Sequence, residues 1–254
     1  MNSIAIRYES PSLGGPAHMN VLCPPGRGPF PVLYLLHGLG GDFDTWGRAY
    51  DLEALAARSR ILIAMPEGGR SYYVNDRRAG GLGRWEDAIV RDARGVIERA
   101  FHVATGRASR GIAGMSMGGY GALRLALRHP DLFGAAGCLS GSLYFGARPH
   151  PRKEPFQTAL SAGLAREEHD VFALARRVAA GGGPRPALWM SCGADDAHLG
   201  TQREFRDLLG GLDWPLTCLE APGAHDRAFW SSQLPALLDF MRRALSSDPD
   251  SVNA

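Results

Sequence analysis

Gly114-Met115-Ser116-Met117-Gly118-Gly119-Tyr120-Gly121 decides how this chain is read. It fits Gly-x-Ser-x-Gly, the pattern of a serine held on a sharp turn between a strand and a helix. Such a serine takes a positive φ, and the helix leaves the strand at close quarters, so side chains at Gly114 and Gly118 would obstruct the crossing. The flanking sequence agrees. Residues 110–114 read as a short buried strand. Residues 117–128 place Leu123, Leu125, Ala126 and Leu127 in a helical run that stops at His129-Pro130. Ser116 is therefore the leading nucleophile candidate.

On either side of this turn, short apolar runs alternate with helical ones. Residues 4–9 and 18–22 read as an antiparallel pair at a sheet edge, and residues 31–36 and 61–65 as buried strands. Residues 134–139, 187–192 and 216–220 read as three further strands. Helices are expected over 51–58, 85–101, 201–209 and 229–245, and a short extended piece over 71–75. In the second helix Trp85, Ile89, Ala93, Val96, Ile97 and Ala100 form the buried face, while Glu86 and Asp87 read as a solvated first turn. Residues 142–184 are too long for one crossover and are expected to form a cap or lid, with two or three short helices within 156–180. One α/β domain over 1–246 and a frayed tail over 247–254 complete the outline.

This alternation predicts a mainly parallel sheet covered on both faces, with ligands bound beyond the carboxyl ends of the strands. The loops starting at His37, Pro66, Ser116, Ser140, Gly193 and Pro222 are therefore the ones that matter.

Composition narrows the function classes. The net charge is only +2, and the basic residues are scattered arginines with Lys153 the single lysine, which speaks against nucleic acid as a partner. No stretch approaches eighteen apolar residues, so no membrane span is expected. Cys23, Cys138, Cys192 and Cys218 lie far apart without metal-ligand spacing and read as free buried thiols, with one or two disulfides of an exported protein as the alternative. Residues 1–15 lack the basic start and apolar core of a secretory signal, so the location is expected to be cytoplasmic.

A serine nucleophile needs a base and a group that orients the base, and in this kind of fold the chain order is Ser, acid, His. His225, in Pro222-Gly-Ala-His-Asp, follows the strand over 216–220 and suits the base. His198 falls in the loop where the acid is expected, and His129, His150 and His169 precede it and read as surface histidines. In Cys192-Gly-Ala-Asp-Asp either aspartate could reach the imidazole. The usual spacing beyond the glycine selects Asp196, with Asp195 the alternative. The glycine-rich exit His37-Gly-Leu-Gly-Gly could aim a backbone amide at a developing oxyanion, and the expected donors are Leu39 and Met117. His37 reads as structural, holding that loop by a hydrogen bond.

Taken together, Leu35-Leu-His-Gly-Leu-Gly-Gly, Gly114-Met-Ser-Met-Gly-Gly-Tyr-Gly-Ala-Leu, His129-Pro-Asp-Leu-Phe, Gly193-Ala-Asp-Asp and Pro222-Gly-Ala-His-Asp resemble the esterase-D-type group of α/β-hydrolases over residues 5–245. That group includes tributyrin, feruloyl and acetylxylan esterases, S-formylglutathione hydrolases and mycolyltransferases. The resemblance implies an α/β-hydrolase fold with Ser116 as nucleophile, His225 as base, Asp196 as acid, and Leu39 and Met117 as oxyanion amides. It implies hydrolysis of small carboxylic esters, short-chain or on acetylated or feruloylated carbohydrate, with no metal or organic cofactor. An acyltransferase or a thioesterase of the S-formylglutathione type is the alternative. The latter enzymes generally carry serine at position 37 and histidine at position 120, unlike His37 and Tyr120 here. Trp46, Tyr144, Phe145, Phe229 and Trp230 are candidates for the pocket mouth, with Trp46 and Tyr144 expected to reach substrate.

Overall fold

The computed structural model describes residues 2–76, 81–147 and 165–245. Strands β1 (Asn2–Ser10), β2 (Gly15–Cys23), β3 (Val32–Leu36) and β4 (Leu62–Pro66) are followed by a two-stranded ribbon of β5 (Asn75–Asp76) and β6 (Gly83–Arg84). Then come β7 (Arg110–Met115), β8 (Ala135–Leu139), β9 (Ala187–Gly193) and β10 (Leu216–Ala221). Eight of these form one sheet in the order β1-β2-β4-β3-β7-β8-β9-β10. Strand β2 runs antiparallel to β1 and β4, and the remaining neighbours are parallel. Every residue of β3, β4, β7 and β8 is buried, as parallel strands must be when both faces are covered.

Two apolar layers cover the sheet. On one face, helix α5 (Met117–Arg128) packs Leu123, Leu125 and Leu127 with Tyr34, Leu36 and Ile112 of the strands. On the other, α1 (Thr45–Ala49), α2 (Leu52–Ala56) and the last helix, α9 (Arg227–Ala244), bring Trp46, Leu52, Leu234, Leu237 and Met241 against Leu33, Leu35 and Ala113. This alternation along β3 follows from the two-residue period of a strand.

Strand register lines up the functional loops. Leu36 pairs with Gly114, Met115 with Leu139, and Gly193 with Ala221, so β3, β7, β8, β9 and β10 end along one rim. Ser116, Ser140, Asp196 and His225 all follow strand ends on that rim.

Three expectations need correction. The segment from Ser71 is not extended: Tyr72 and Tyr73 take φ of 52° and 57°, and only Asn75–Asp76 pairs as strand. The helix expected over 85–101 consists of α3 (Trp85–Asp87), a π-helical stretch (Ala88–Ala93) and α4 (Arg94–Ala100). Glu86 and Asp87 are not solvated; both are buried, Glu86 against Arg124 and Arg128 of α5. The reason is that the polar face of α5 has to be neutralised where it meets this helix. Of the segment expected as a cap, residues 148–164 lie outside the described residues. Helix α6 (Arg166–His169) leads into α7 (Val171–Ala180), which packs Val171, Leu174 and Ala175 into the same apolar layer as α5. The tail over 247–254 also lies outside the described residues. Helix α8 (Leu199–Gly211) completes the fold. No helix among the described residues is long and apolar enough to cross a membrane.

Candidate active site

Ser116 sits between β7 and α5 with φ 55° and ψ −116°, a conformation that L-residues avoid. The surroundings impose it. Its amide donates to Leu139 O at 2.8 Å, and its carbonyl accepts from the Tyr120 and Ser142 amides, each at 3.1 Å. The flanking glycines are steric requirements: a Cβ on Gly114 would lie 2.5 Å from the Gly118 carbonyl, and one on Gly118 would lie 2.4 Å from Leu36 O.

The His225 imidazole reaches Ser116 from the loop between β10 and α9. Its Nε2 lies 2.9 Å from Ser116 Oγ, and its Nδ1 lies 2.9 Å from Asp196 Oδ2. With an ionised carboxylate on one side, Nδ1 carries the proton and Nε2 is left to accept from the serine hydroxyl. Asp196 is buried on the loop after β9, while Asp195 faces solvent with its amide tied to Gly223 O at 2.9 Å. Burial acts against the Asp196 charge. The hydrogen bonds from His225 and from the His198 amide outweigh it and hold the carboxyl below the usual range. Close packing joins the two loops, since a Cβ on Gly193 would lie 2.3 Å from Gly223 O.

Two further rings stand edge-on to His225: Trp230 with centroids 4.9 Å apart and His198 at 4.5 Å. The His198 amide donates to Asp196 Oδ1 at 2.8 Å, and its Nε2 lies 3.4 Å from Ser142 Oγ. Donor atoms of Asp196, His198 and His225 fall within 4.8 Å of one another, the spacing of a group that could hold a metal ion.

The loop after β3 lies alongside. A Cβ on Gly38 would be 3.5 Å from Ser116 Cβ, and the turn closes with the Gly41 amide on Gly38 O at 3.0 Å. His37 is buried; its Nε2 accepts from the Gly68 amide at 2.9 Å, which leaves the proton on Nδ1, 2.9 Å from Gly38 O. Tyr73 Oη donates to His37 O at 2.9 Å. Glu67 spans the gap between loops, accepting the Gly69 amide on Oε1 at 2.7 Å and the Phe43 amide on Oε2 at 3.2 Å. Leu39 is exposed within this turn, and Met117, the first residue of α5, carries an amide without an intrahelical acceptor.

Several expected and unexpected residues are placed differently from the sequence reading. Trp46 is fully buried against Tyr50, centroids 4.9 Å apart, so it belongs to the core and not to a pocket wall. Phe145 and Phe229 are buried too. Tyr144 lies beside the site, its ring 5.3 Å from that of His198, yet it is only 2% exposed and its hydroxyl bonds with Tyr72. His169 is not a surface residue: it is buried and accepts from Arg124 Nε at 3.1 Å. His129 is half-buried on Glu86 Oε1 at 2.7 Å, and His150 lies outside the described residues. Glu67 and Tyr73 went unnoticed in the sequence, because a role exerted through backbone amides and carbonyls leaves no spacing signature.

Residues 10–241 match the Esterase family. The chain is 31% identical over 251 residues to an esterase of Mycobacterium tuberculosis, covering 86% of this chain and 54% of that protein. It is 26% identical over 226 residues to an acetyl esterase of Caldicellulosiruptor saccharolyticus, covering 84% of this chain and 83% of the other. The chain thus spans about half the length of the first of these. Among solved structures it is similar to FphF, a fluorophosphonate-binding serine hydrolase of Staphylococcus aureus, with TM-score 0.85 and 26% identity over 95% of this chain and 98% of that one. The architecture they share is the α/β-hydrolase fold.

Proposed function

Because the chain belongs to the Esterase family, we propose that it is a serine carboxylesterase working through an acyl-enzyme on Ser116. The observation that carries this reading is the unbroken chain from Ser116 Oγ through His225 to Asp196, with both hydrogen bonds at 2.9 Å. Ser116 Oγ attacks the ester carbonyl as its proton passes to His225 Nε2. Asp196 stays ionised and stabilises the imidazolium. The carbonyl oxygen becomes an oxyanion held by the Leu39 and Met117 amides, the latter at a helix N-terminus where the dipole also favours negative charge. Collapse breaks the ester C–O bond, and the departing alcohol takes the proton from Nε2. Water, deprotonated by His225, then attacks the acyl carbon; collapse breaks its bond to Ser116 Oγ, which takes the proton back from Nε2, and the acid departs. No step calls for a metal or an organic cofactor.

The substrate in this reading is a small ester with a short acyl chain, in keeping with the acetyl esterase relative. A cytoplasmic location goes with it, supported by four free thiols. The test is hydrolysis of p-nitrophenyl esters from acetate to octanoate by the wild type and by Ser116→Ala, with fluorophosphonate labelling of both followed by intact mass. Turnover and one label on the wild type, with neither on the variant, is the expected result. Label on both places the nucleophile elsewhere and sinks the proposal. Ester consumption that yields a new ester when an acceptor alcohol is added reassigns the same acyl-enzyme to acyl transfer.

A further inference from the structure

The ring of His198 stands against that of His225 although the acyl-transfer chemistry does not use it. The donors assembled there are one carboxylate and two imidazoles, three ligands with a fourth position left to water, which suits zinc. Magnesium and calcium call for all-oxygen shells and fit poorly. We infer that Asp196, His198 and His225 form a zinc site that switches the catalytic group off. The inhibitory part of this inference rests on the proposed esterase mechanism; the binding part does not.

The distances allow it. Zinc bonds of about 2.0 Å in a tetrahedron put neighbouring donor atoms roughly 3.3 Å apart. His225 Nδ1 and Asp196 Oδ2 start at 2.9 Å, and the His198 donor lies within 4.8 Å of both. Rotation of two half-buried rings on loops covers the remaining difference. The outer contacts are also in place. The His198 amide holds Asp196 Oδ1, leaving Oδ2 for the ion, and Ser142 Oγ stands 3.4 Å from His198 Nε2, where it would accept the ring N–H if Nδ1 ligates. Such partners fix the tautomer and orientation of a ligating histidine.

Inhibition follows from proton placement. In the metal-free site the single imidazole proton of His225 sits on Nδ1, facing Asp196. Zinc on Nδ1 leaves the neutral ring with its proton on Nε2, the atom that faces Ser116 Oγ. A protonated Nε2 cannot accept the serine proton, so the nucleophile is never generated. No bond to carbon forms or breaks, and the ion's removal restores the original tautomer.

The experiment separates binding from activity. Ser116→Ala protein, which keeps all three ligands, is titrated with Co2+ and its visible d–d bands are recorded, followed by displacement with Zn2+; the same is done for Ser116→Ala/His198→Gln. In parallel, Zn2+ inhibition of p-nitrophenyl ester hydrolysis is measured for wild type and His198→Gln, with reversal by EDTA. We expect four-coordinate Co2+ bands that Zn2+ bleaches and that His198→Gln abolishes, together with Zn2+ inhibition weakened about tenfold or more in His198→Gln. Absence of Co2+ bands on Ser116→Ala, or equal Zn2+ inhibition of wild type and His198→Gln, overturns the site. If the wild type proves inactive on esters, the Co2+ titration still decides the metal site on its own.

Discussion

Arg124 donates through Nε to Nδ1 of His169 at 3.1 Å, joining the buried face of the helix behind Ser116 to the segment that follows residue 164. The same guanidinium donates to Glu86 Oε2 at 2.6 Å and to Tyr73 O at 3.3 Å, while Tyr120 Oη donates to His169 O at 2.7 Å. A proton on His169 Nδ1 would break this contact and place a second cation beside Arg124. Burial first, and then the charges of Arg124 and Arg128, push the imidazole down to about 3.

Stability should therefore depend on pH through His169. The unfolded imidazole titrates near ~6.5 and the folded one far below, so between those values the unfolded chain holds a proton that the folded chain lacks. The stabilisation is complete above about pH 6.5 and is lost as pH falls toward 3, with a slope approaching about 1.4 kcal/mol per pH unit. Glu86 acts in the same sense. Burial opposes its charge, but His129, Arg124 and Arg128 drive it far below the carboxylate range, and its contribution fades only below about pH 4.3. Urea unfolding between about pH 4.5 and 6.5 should show a slope that His169→Gln removes. A wild type whose stability is flat across that window would contradict the assignment.

Backbone strain at Ser116 should be measurable as stability. Its φ of 55° with ψ −116° costs on the order of 1–3 kcal/mol for a residue with a Cβ. Ser116→Gly is expected to unfold at higher urea than Ser116→Ala by about 1 kcal/mol or more, although both are inactive. Gly118→Ala should move the other way, losing about 3 kcal/mol because its Cβ would meet Leu36 O at 2.4 Å with only backbone to yield. Equal stability of the two Ser116 variants would mean that the turn carries no strain.

How much of this was legible follows from the kind of signal each feature leaves. The serine turn could be read because its glycines are steric necessities, and the order Ser116, Asp196, His225 along the chain because that order goes with a strand–turn–helix serine in this kind of fold; in the structure the three follow β7, β9 and β10. Glu86 was misread because helix position alone says nothing about which neighbouring helix will bury it, and Arg124, 38 residues further along the chain on α5, supplies the answer. Trp46 was misread for the converse reason: an aromatic residue after a functional loop packs inward as readily as outward. The π-helical stretch over Ala88–Ala93 left no trace in the apolar spacing, which differs from that of an α-helix by less than one residue per turn.

The two adjacent aspartates make a sharp contrast. Asp196 is buried and bonded to His225 Nδ1, whereas Asp195 is exposed and contacts its neighbours through backbone. Asp196→Asn offers a donor where the imidazole needs an acceptor and favours the wrong tautomer, so kcat should fall by roughly 10⁴. Asp195→Asn should stay within about twofold of wild type, as a surface substitution away from the reacting atoms. Steady-state kinetics on p-nitrophenyl acetate decides it, and a large loss in Asp195→Asn with a mild one in Asp196→Asn would reverse the two assignments.

Glu67 offers a way to disturb the loop proposed to hold the oxyanion without touching Ser116 or His225. Its carboxylate accepts amides from both sides of a gap, Gly69 at 2.7 Å on one oxygen and Phe43 at 3.2 Å on the other. Glutamine is nearly the same size but has only one accepting oxygen, and its NH₂ group would face an amide N–H at the other position. Glu67→Gln must therefore release either the Phe43 end or the Gly69 end, and with it the restraint on residues 38–43 that carry the Leu39 amide. An amide that stabilises the oxyanion works in the transition state and not in ground-state binding. The expected result is a kcat lowered about tenfold, less than the 10²–10³ lost when a donor is removed outright, with KM changed by less than about twofold. Affinity for a boronic acid that mimics the tetrahedral intermediate should fall in parallel with kcat. A rise in KM at constant kcat would instead make Glu67 part of the substrate-binding wall, and unchanged values for both would show that His37 and Tyr73 hold the loop without it.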